Sequence, residues 1–146
     1  MHAALLFLHL AAGSIWVGGH LVLAVSLLPE AVSKRDPGLI RGFERIYERV
    51  GLPALVIQVA TGLWLAHQLR PGLASWMAWD DPVAQTIALK LACLAATVAL
   101  AAHARLAIIP RLDAARLPML GIHIVAVTGL ALAFVWLGVA FRYGGV

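Results

Sequence analysis

Four long apolar runs decide what this chain can fold into. They cover about residues 3–28, 51–69, 83–109 and 118–141. A helix needs about 20 apolar residues to cross the hydrocarbon core of a bilayer, so each run is long enough to span it. Hydrophobic residues make up 62% of the chain and charged residues 12%, against about 45–50% and 25% in soluble domains. We therefore expect an integral membrane protein, with residues 1–146 forming a single transmembrane domain.

The connections between these runs are short, which favours antiparallel neighbours. The predicted fold is all-α: a four-helix membrane bundle that crosses the bilayer up, down, up and down. Apolar residues recur at helical spacing between Gly38 and Val50, with Arg and Glu between them. This pattern predicts a short amphipathic helix at the cytoplasmic surface, which runs into the second span. Pro53 is expected in the first turn of that span.

The basic residues predict the orientation in the membrane. They concentrate in the first and third connections: Lys34, Arg35, Arg41, Arg45, Arg49, Arg105, Arg111 and Arg116. The positive-inside rule then puts these two connections in the cytoplasm and both termini outside. The net charge of +4 follows from this topology, so we expect the lipid bilayer, and no nucleic acid, as a partner.

Every apolar run contains histidine, and an ionisable residue inside a membrane usually marks a functional site. His9 and His20 lie on one stripe of the first run, together with Gly13 and Trp16. Sorted by depth in the predicted spans, the histidines form two groups. The expected cytoplasmic group is His20, His103 and His123, and the expected outer pair is His9 and His67.

Two metal centres suit this pattern, because imidazole is a good ligand for copper and iron. Three neutral histidines from three helices suit a copper ion. Pairs of histidines from facing helices suit haem b, and the small residues Ala92, Ala96 and Ala99 on the His103 face would admit a flat macrocycle or allow close helix packing. The chain has no CxxCH sequence, so a haem would be bound noncovalently. A third interpretation is that the histidines only pack.

Several segments resemble the short, four-span members of the copper resistance protein D family. They are HLAAGSIWVGGH (9–20), FERIYERVGLPALVIQVATGLWLAH (43–67), IALKLACLAATVALAAHARLAIIPRL (87–112) and GIHIVAVTGLALAFVWLGVAFRYGG (121–145). The resemblance implies a bacterial inner-membrane protein of copper handling. Its motif positions are His9, Trp16, His20, His103 and His123. A more distant likeness, carried by His9, Trp16, the ERIYERVGLPA and TGLWL block and Lys90, is to the four-span protoporphyrinogen oxidases, which carry haem b.

The sequence-based hypothesis is therefore copper binding or transport by intramembrane histidines. His20, His103 and His123, with His9, are its candidate metal ligands. His9, Trp16 and His67 are assigned to an outer or haem site. The alternative is a bis-histidine haem b cytochrome, for electron transfer or quinone-linked oxidation. A periplasmic copper carrier or redox partner and a homo-oligomer are the expected protein partners, and whether the protein is an enzyme stays open.

Overall fold

The computed structural model describes residues 2–79 and 81–145, and within these residues it contains helices and no strand. Four helices are long and apolar enough to cross a membrane. They are α1 (His2–Lys34), α2 (Pro37–Leu69), α3 (Pro82–Arg111) and α4 (Leu117–Arg142). A short 3₁₀ helix, Leu73–Met77, lies in the connection between α2 and α3. The prediction of an all-α protein with four candidate spans is confirmed.

Two helices extend beyond the predicted membrane spans. The first helix continues past residue 28 to Lys34. The second begins at Pro37, where the Asp36 side chain caps it by accepting from the Gly38 backbone N–H at 2.8 Å. The predicted amphipathic segment and the second span are thus one continuous helix, with Pro53 inside it. A proline inside a spanning helix is tolerated because neighbouring groups satisfy the freed carbonyl.

Two prolines follow widened helical turns. Residues Leu23–Leu27 and Ala104–Ile108 are π-helical, and Pro29 and Pro110 come two residues after them. A proline lacks its N–H and its ring clashes with the carbonyl four residues earlier. That carbonyl falls in the middle of each π-helical turn, so the wider turn relieves the clash. The first helix continues past Pro29 to Lys34, whereas the third ends at Arg111, one residue after Pro110.

The helices form an open ring. α1 packs along α2 and also against α4, and α4 packs along α3, whereas α2 and α3 make few contacts with each other. The contacts of each packed pair run in opposite order along the two helices. Along α1 and α2, for example, the contact of His2 with Gln68 is followed by contacts of His9 with Thr61 and of Tyr47 with Ile15. Because α2 and α3 make few contacts with each other, there is room for a site between them.

The connections mark two ends of the bundle. At one end, which we call the basic end, Arg41 donates to the carbonyl of Leu112 and so joins the first and third connections. At the other end, which we call the opposite end, Arg70 pairs with Asp81 across the second connection. The side chain of Asp81 also caps α3 by accepting from the backbone N–H of Ala84. The edge between α2 and α3 is therefore tied at the opposite end.

The outer surface of the ring is strongly apolar. Phe7, Val25, Ile122 and Trp136 are each 70–73% exposed. The larger of the two clusters of buried apolar residues lies towards the basic end and includes Ile108, Leu117 and Ala31. Large exposed apolar side chains all around a helical bundle need lipid, because water would make this surface aggregate. The surface thus agrees with a protein that lies in a bilayer.

Candidate ligand cleft and the histidines around it

A cleft of about 460 Å³ lies where α2 and α3 fail to meet. All four helices contribute to its walls, and most of the lining is aliphatic or aromatic. The polar and aromatic side chains on it are Trp16, His20, Phe43, Glu44, Tyr47, Glu48, Thr97, Arg105 and His123. Cofactor sites in proteins are typically concave, mostly apolar and about 300–1,000 Å³, with a few polar groups placed inside. The cleft has these features, so it is the candidate ligand site.

His20 enters the cleft from α1 in a defined tautomer. Its Nδ1 lies 2.9 Å from the carbonyl oxygen of Trp16. A carbonyl oxygen only accepts, so Nδ1 donates the hydrogen and Nε2 of the neutral ring keeps its lone pair. The ring also lies on Trp16, with 4.3 Å between the ring centroids. Metal-bound histidines are typically held by such a bond from their other ring nitrogen, so His20 has the hydrogen bond that a ligand would need.

Tyr47 fixes the wall beside His20, and the sequence analysis gave it no such role. Its hydroxyl donates to the Ile15 carbonyl at 2.9 Å, and its ring lies edge-on to His20. Two glycines make space for this ring. A Cβ on Gly19 would lie 2.2 Å from a ring carbon, and one on Gly51 would lie 2.6 Å away. The sequence signal that could have indicated this role of Tyr47 is its spacing from Gly51, one turn further along α2. Gly19 on α1 lies opposite.

His103 and His123 form a hydrogen-bonded pair between α3 and α4. Nδ1 of His103 lies 2.8 Å from Nε2 of His123, and the two rings are stacked. Nδ1 of His123 donates to the Met119 carbonyl at 3.0 Å, so its Nε2 must accept from His103. The free nitrogen of the pair is Nε2 of His103. Of the two residues, only His123 lines the cleft.

The structure brings two of the three predicted copper ligands together and leaves out the third. His103 contacts His123, while the Nδ1 of His20 is bonded within α1. Within residues 2–79 and 81–145, no three His, Cys, Asp or Glu side chains are placed to hold one metal ion together. The three-histidine copper centre is therefore not assembled in this conformation, although His20 and His123 share one cleft.

The predicted outer pair is also separate. His9 Nδ1 lies 3.0 Å from both the Gln58 carbonyl oxygen and the Thr61 hydroxyl oxygen. His67 is exposed and lies six residues beyond Thr61 on α2, about 9 Å along the helix axis. Trp16, which was grouped with them, belongs instead to the cleft beside His20. His9 is thus part of the α1–α2 packing interface.

Three charged side chains close the cleft at the basic end. Arg105, from the π-helical turn of α3, donates to Glu44 at 3.1 Å and to Glu48 at 2.6 Å on α2. These ion pairs join the two helices that otherwise make few contacts. The alanines proposed to admit a macrocycle, Ala92, Ala96 and Ala99, are exposed; Ala101, Ala102 and Ala104 line the cleft instead.

Comparison of this chain with protein-family models, curated proteins and solved structures finds no match. The resemblance to the copper resistance protein D family and the likeness to protoporphyrinogen oxidases therefore stay predictions. What the chain binds has to be argued from its own residues.

Proposed function

We propose that this protein is a membrane cytochrome that binds haem b in the cleft between α2 and α3. The observation that carries the proposal is the position of His20, an oriented imidazole with a free Nε2 on the wall of a large apolar cleft. Haem b is a flat, mostly apolar macrocycle, and its iron takes histidine as an axial ligand. The haem interpretation was the alternative in the sequence analysis, and the geometry favours it.

The cleft suits a macrocycle better than a single ion. A copper ion needs a few nitrogen or sulfur ligands within bonding distance, not a volume of about 460 Å³ lined by aliphatic side chains. The small side chains of Ala101 and Ala102 form part of one wall. Trp16 and Phe43 offer aromatic faces on the α1 and α2 sides.

His20 is the residue that would hold the haem iron first. Trp16 holds it through a backbone carbonyl, and such a bond strengthens an imidazole as a donor. His123 is the second candidate ligand, from α4, and it has to give up the hydrogen bond from His103 in order to bind iron. When bound, the haem supplies one-electron redox chemistry; the surrounding apolar residues exclude water and set its potential.

The proposal includes an orientation. We infer a bacterial inner-membrane location and a bundle that crosses up, down, up and down, with the basic end in the cytoplasm and both termini in the periplasm. The support is the charge asymmetry of the connections and the reversed order of the helix contacts. In this arrangement residues 38–50 lie at the cytoplasmic surface as the amphipathic start of α2, and the cleft lies in the cytoplasmic half.

Copper binding or transport of the copper resistance protein D type is the second candidate. Its support is the pair of His103 and His123, whose nearest nitrogens are 2.8 Å apart. Two neutral imidazoles suit copper, and His20 would have to move towards the pair to complete the predicted site. In this interpretation His103 is essential, whereas the haem site uses it only as a partner of His123.

The absorption spectrum of the purified protein tests the proposal. We expect a red protein whose Soret band shifts on reduction with dithionite. His20→Ala should abolish the haem band, and His103→Ala should retain it. Retention of haem by His20→Ala, or a colourless wild type grown with haem precursor, would overturn the assignment.

The same variants separate haem from copper. A copper protein lacks the Soret band, gives copper by elemental analysis, and loses that copper in His103→Ala. His2→Ala is the matched control, because His2 contacts Gln68 at the opposite end, away from the cleft. Its metal or haem content should equal that of the wild type.

A further inference from the structure

A layer of polar side chains crosses the bundle in the half nearer the opposite end, outside the cleft. His9 on α1 contacts Thr61 and the Gln58 backbone on α2. Lys90 on α3 lies over the ring of Phe141 on α4, 4.9 Å from the ring centroid. Both contacts lie in the half of the bundle nearer the opposite end.

Glycines make space for two members of this layer, Gln58 and His9, and a third glycine contacts Lys90. A Cβ on Gly13 would lie 3.0 Å from the Gln58 amide nitrogen, and one on Gly62 would lie 3.0 Å from a His9 ring carbon. The Lys90 ammonium would lie 3.6 Å from a Cβ on Gly138. Each glycine therefore faces a polar side chain of a neighbouring helix, so the helix surfaces are shaped to fit these side chains.

Lys90 is the charged member of this layer. It lies inside a span, and the contact described for it is the face of an aromatic ring. Asp81, just before α3, caps that helix and pairs with Arg70; Asp80 lies outside the described residues. Asp81 is nine residues before Lys90, about 13 Å along the helix. A charge in this environment is costly unless an opposite charge meets it.

We propose that Lys90 binds the anionic head of an amphiphile that enters from the bilayer. The ammonium is the charged donor, the ring of Phe141 supports it from α4, and the apolar tail lies along the exposed outer surface. Both a carboxylate and a lipid phosphate have the oxygens that Lys90 needs. This site does not depend on haem, since neither Lys90 nor His9 lines the cleft.

Photolabelling tests the site in the full chain, reconstituted in phosphatidylcholine nanodiscs. One probe is a fatty acid with a diazirine beside its carboxylate, and the second is phosphatidylglycerol with a diazirine beside its phosphate. We expect labels on α3 and α4 around Lys90 and Phe141, mapped by mass spectrometry. Labelling by the carboxylate probe alone identifies a fatty-acid-like ligand, and labelling by the lipid alone identifies a phosphate. The amide of the same fatty acid should not label these residues.

Lys90→Met removes the charge and keeps a long apolar side chain. The labelling at these residues should fall about tenfold or more, the size expected for a lost charge-assisted contact, and Lys90→Arg should restore most of it. Arg142→Gln, an exposed arginine at the end of α4, should label as the wild type does.

A thermal unfolding measurement separates binding from folding. If Lys90 serves a ligand, Lys90→Met without amphiphile should keep or raise the Tm, because an unpaired charge leaves the membrane interior. A lower Tm with unchanged labelling would make Lys90 a packing residue and overturn the proposal. The Soret band should persist in Lys90→Met, so a failure of the haem assignment and a failure of this site give different results.

Discussion

The two halves of the bundle use intramembrane histidine in different ways. Towards the basic end, His20 stands beside a cleft, its Nδ1 held by a carbonyl and its Nε2 free. Towards the opposite end, His9 fits against Gly62 and bonds to Thr61 in a packed interface. Both rings donate from Nδ1, so the hydrogen bond alone does not distinguish them. The difference is the adjoining volume, which only the His20 half provides.

The irregular turns follow the same division. Both π-helical turns lie towards the basic end. In α1 the turn begins at Leu23, shortly after His20, and in α3 it begins directly after His103. Such turns are frequent at functional sites, because they displace the helix that follows. Here the turn in α3 carries Arg105, whose ion pairs with Glu44 and Glu48 close the cleft. In the other half, small residues bring the helices close together, as is usual in membrane bundles.

The largest expected effect is at the glycine that holds the cleft wall. In Gly19→Ala the new Cβ would meet the Tyr47 ring at 2.2 Å, so the ring and its bond to Ile15 must move. We expect a loss of about 2–3 kcal/mol in stability, near the upper end for overpacking, together with loss of haem. The measurement is a Tm and a Soret absorbance on the same sample.

Gly18→Ala is the matched control for this substitution. The neighbouring glycine has nothing within 4 Å of its ideal Cβ, and the change is chemically identical. Its Tm should be equal to that of the wild type or higher. Equal effects of the two substitutions would show that the Tyr47 contact does not shape the cleft.

The sequence was sufficient for the parts of the fold that depend on hydrophobicity. The four apolar runs predicted four spanning helices, and the helical spacing in residues 38–50 predicted a helix there. It did not predict the π-helical turns that precede Pro29 and Pro110, because the apolar pattern does not distinguish such a turn from regular α-helix. Whether two helices pack or separate depends on which faces meet, and periodicity along one helix does not contain that information.

The site was harder to predict than the fold for the same reason. Depth alone grouped His20 with His103 and His123, yet rotation about the helix axis decides which rings meet. The structure joins His103 to His123 and turns His20 to the cleft. Depth likewise grouped His9 with His67. His9 contacts Thr61, and His67 lies about 9 Å further along α2 than Thr61. Tyr47 was considered only as part of an apolar pattern.

A smaller effect is expected in the packed half. Thr61→Val keeps the shape but removes the hydroxyl that contacts His9 and donates to the Ile57 carbonyl at 2.6 Å. We expect a loss of about 0.6 kcal/mol, the average for a hydrogen bond between membrane helices, with the haem spectrum unchanged. Unfolding in mixed detergent measures it. Ser14→Ala is the control, because its hydroxyl bonds only within α1, to Leu10.

A loss of haem in Thr61→Val would contradict the division of the bundle into two functional halves. It would mean that the packing interface around His9 also shapes the cleft. A loss of stability as large as that in Gly19→Ala would have the same meaning.

The smallest effect concerns the tie that holds α2 to α3 at the opposite end. The backbone N–H of Ala84 and the Arg70 guanidinium hold the pKa of Asp81 below its usual value. A carboxylate with a lowered pKa stabilises the folded state above its unfolded pKa, about 3.9, and this stabilisation is lost as the pH falls through the folded value. Wild type should therefore exceed Asp81→Asn in Tm by a constant margin near pH 7, and the margin should vanish in acid below about pH 4. Near pH 7 the Soret band of Asp81→Asn should equal that of the wild type, because the ion pairs of Arg105 still close the cleft at the basic end. If Asp81→Asn loses haem there, the tie at the opposite end controls the cleft, and the two halves of the molecule act as one.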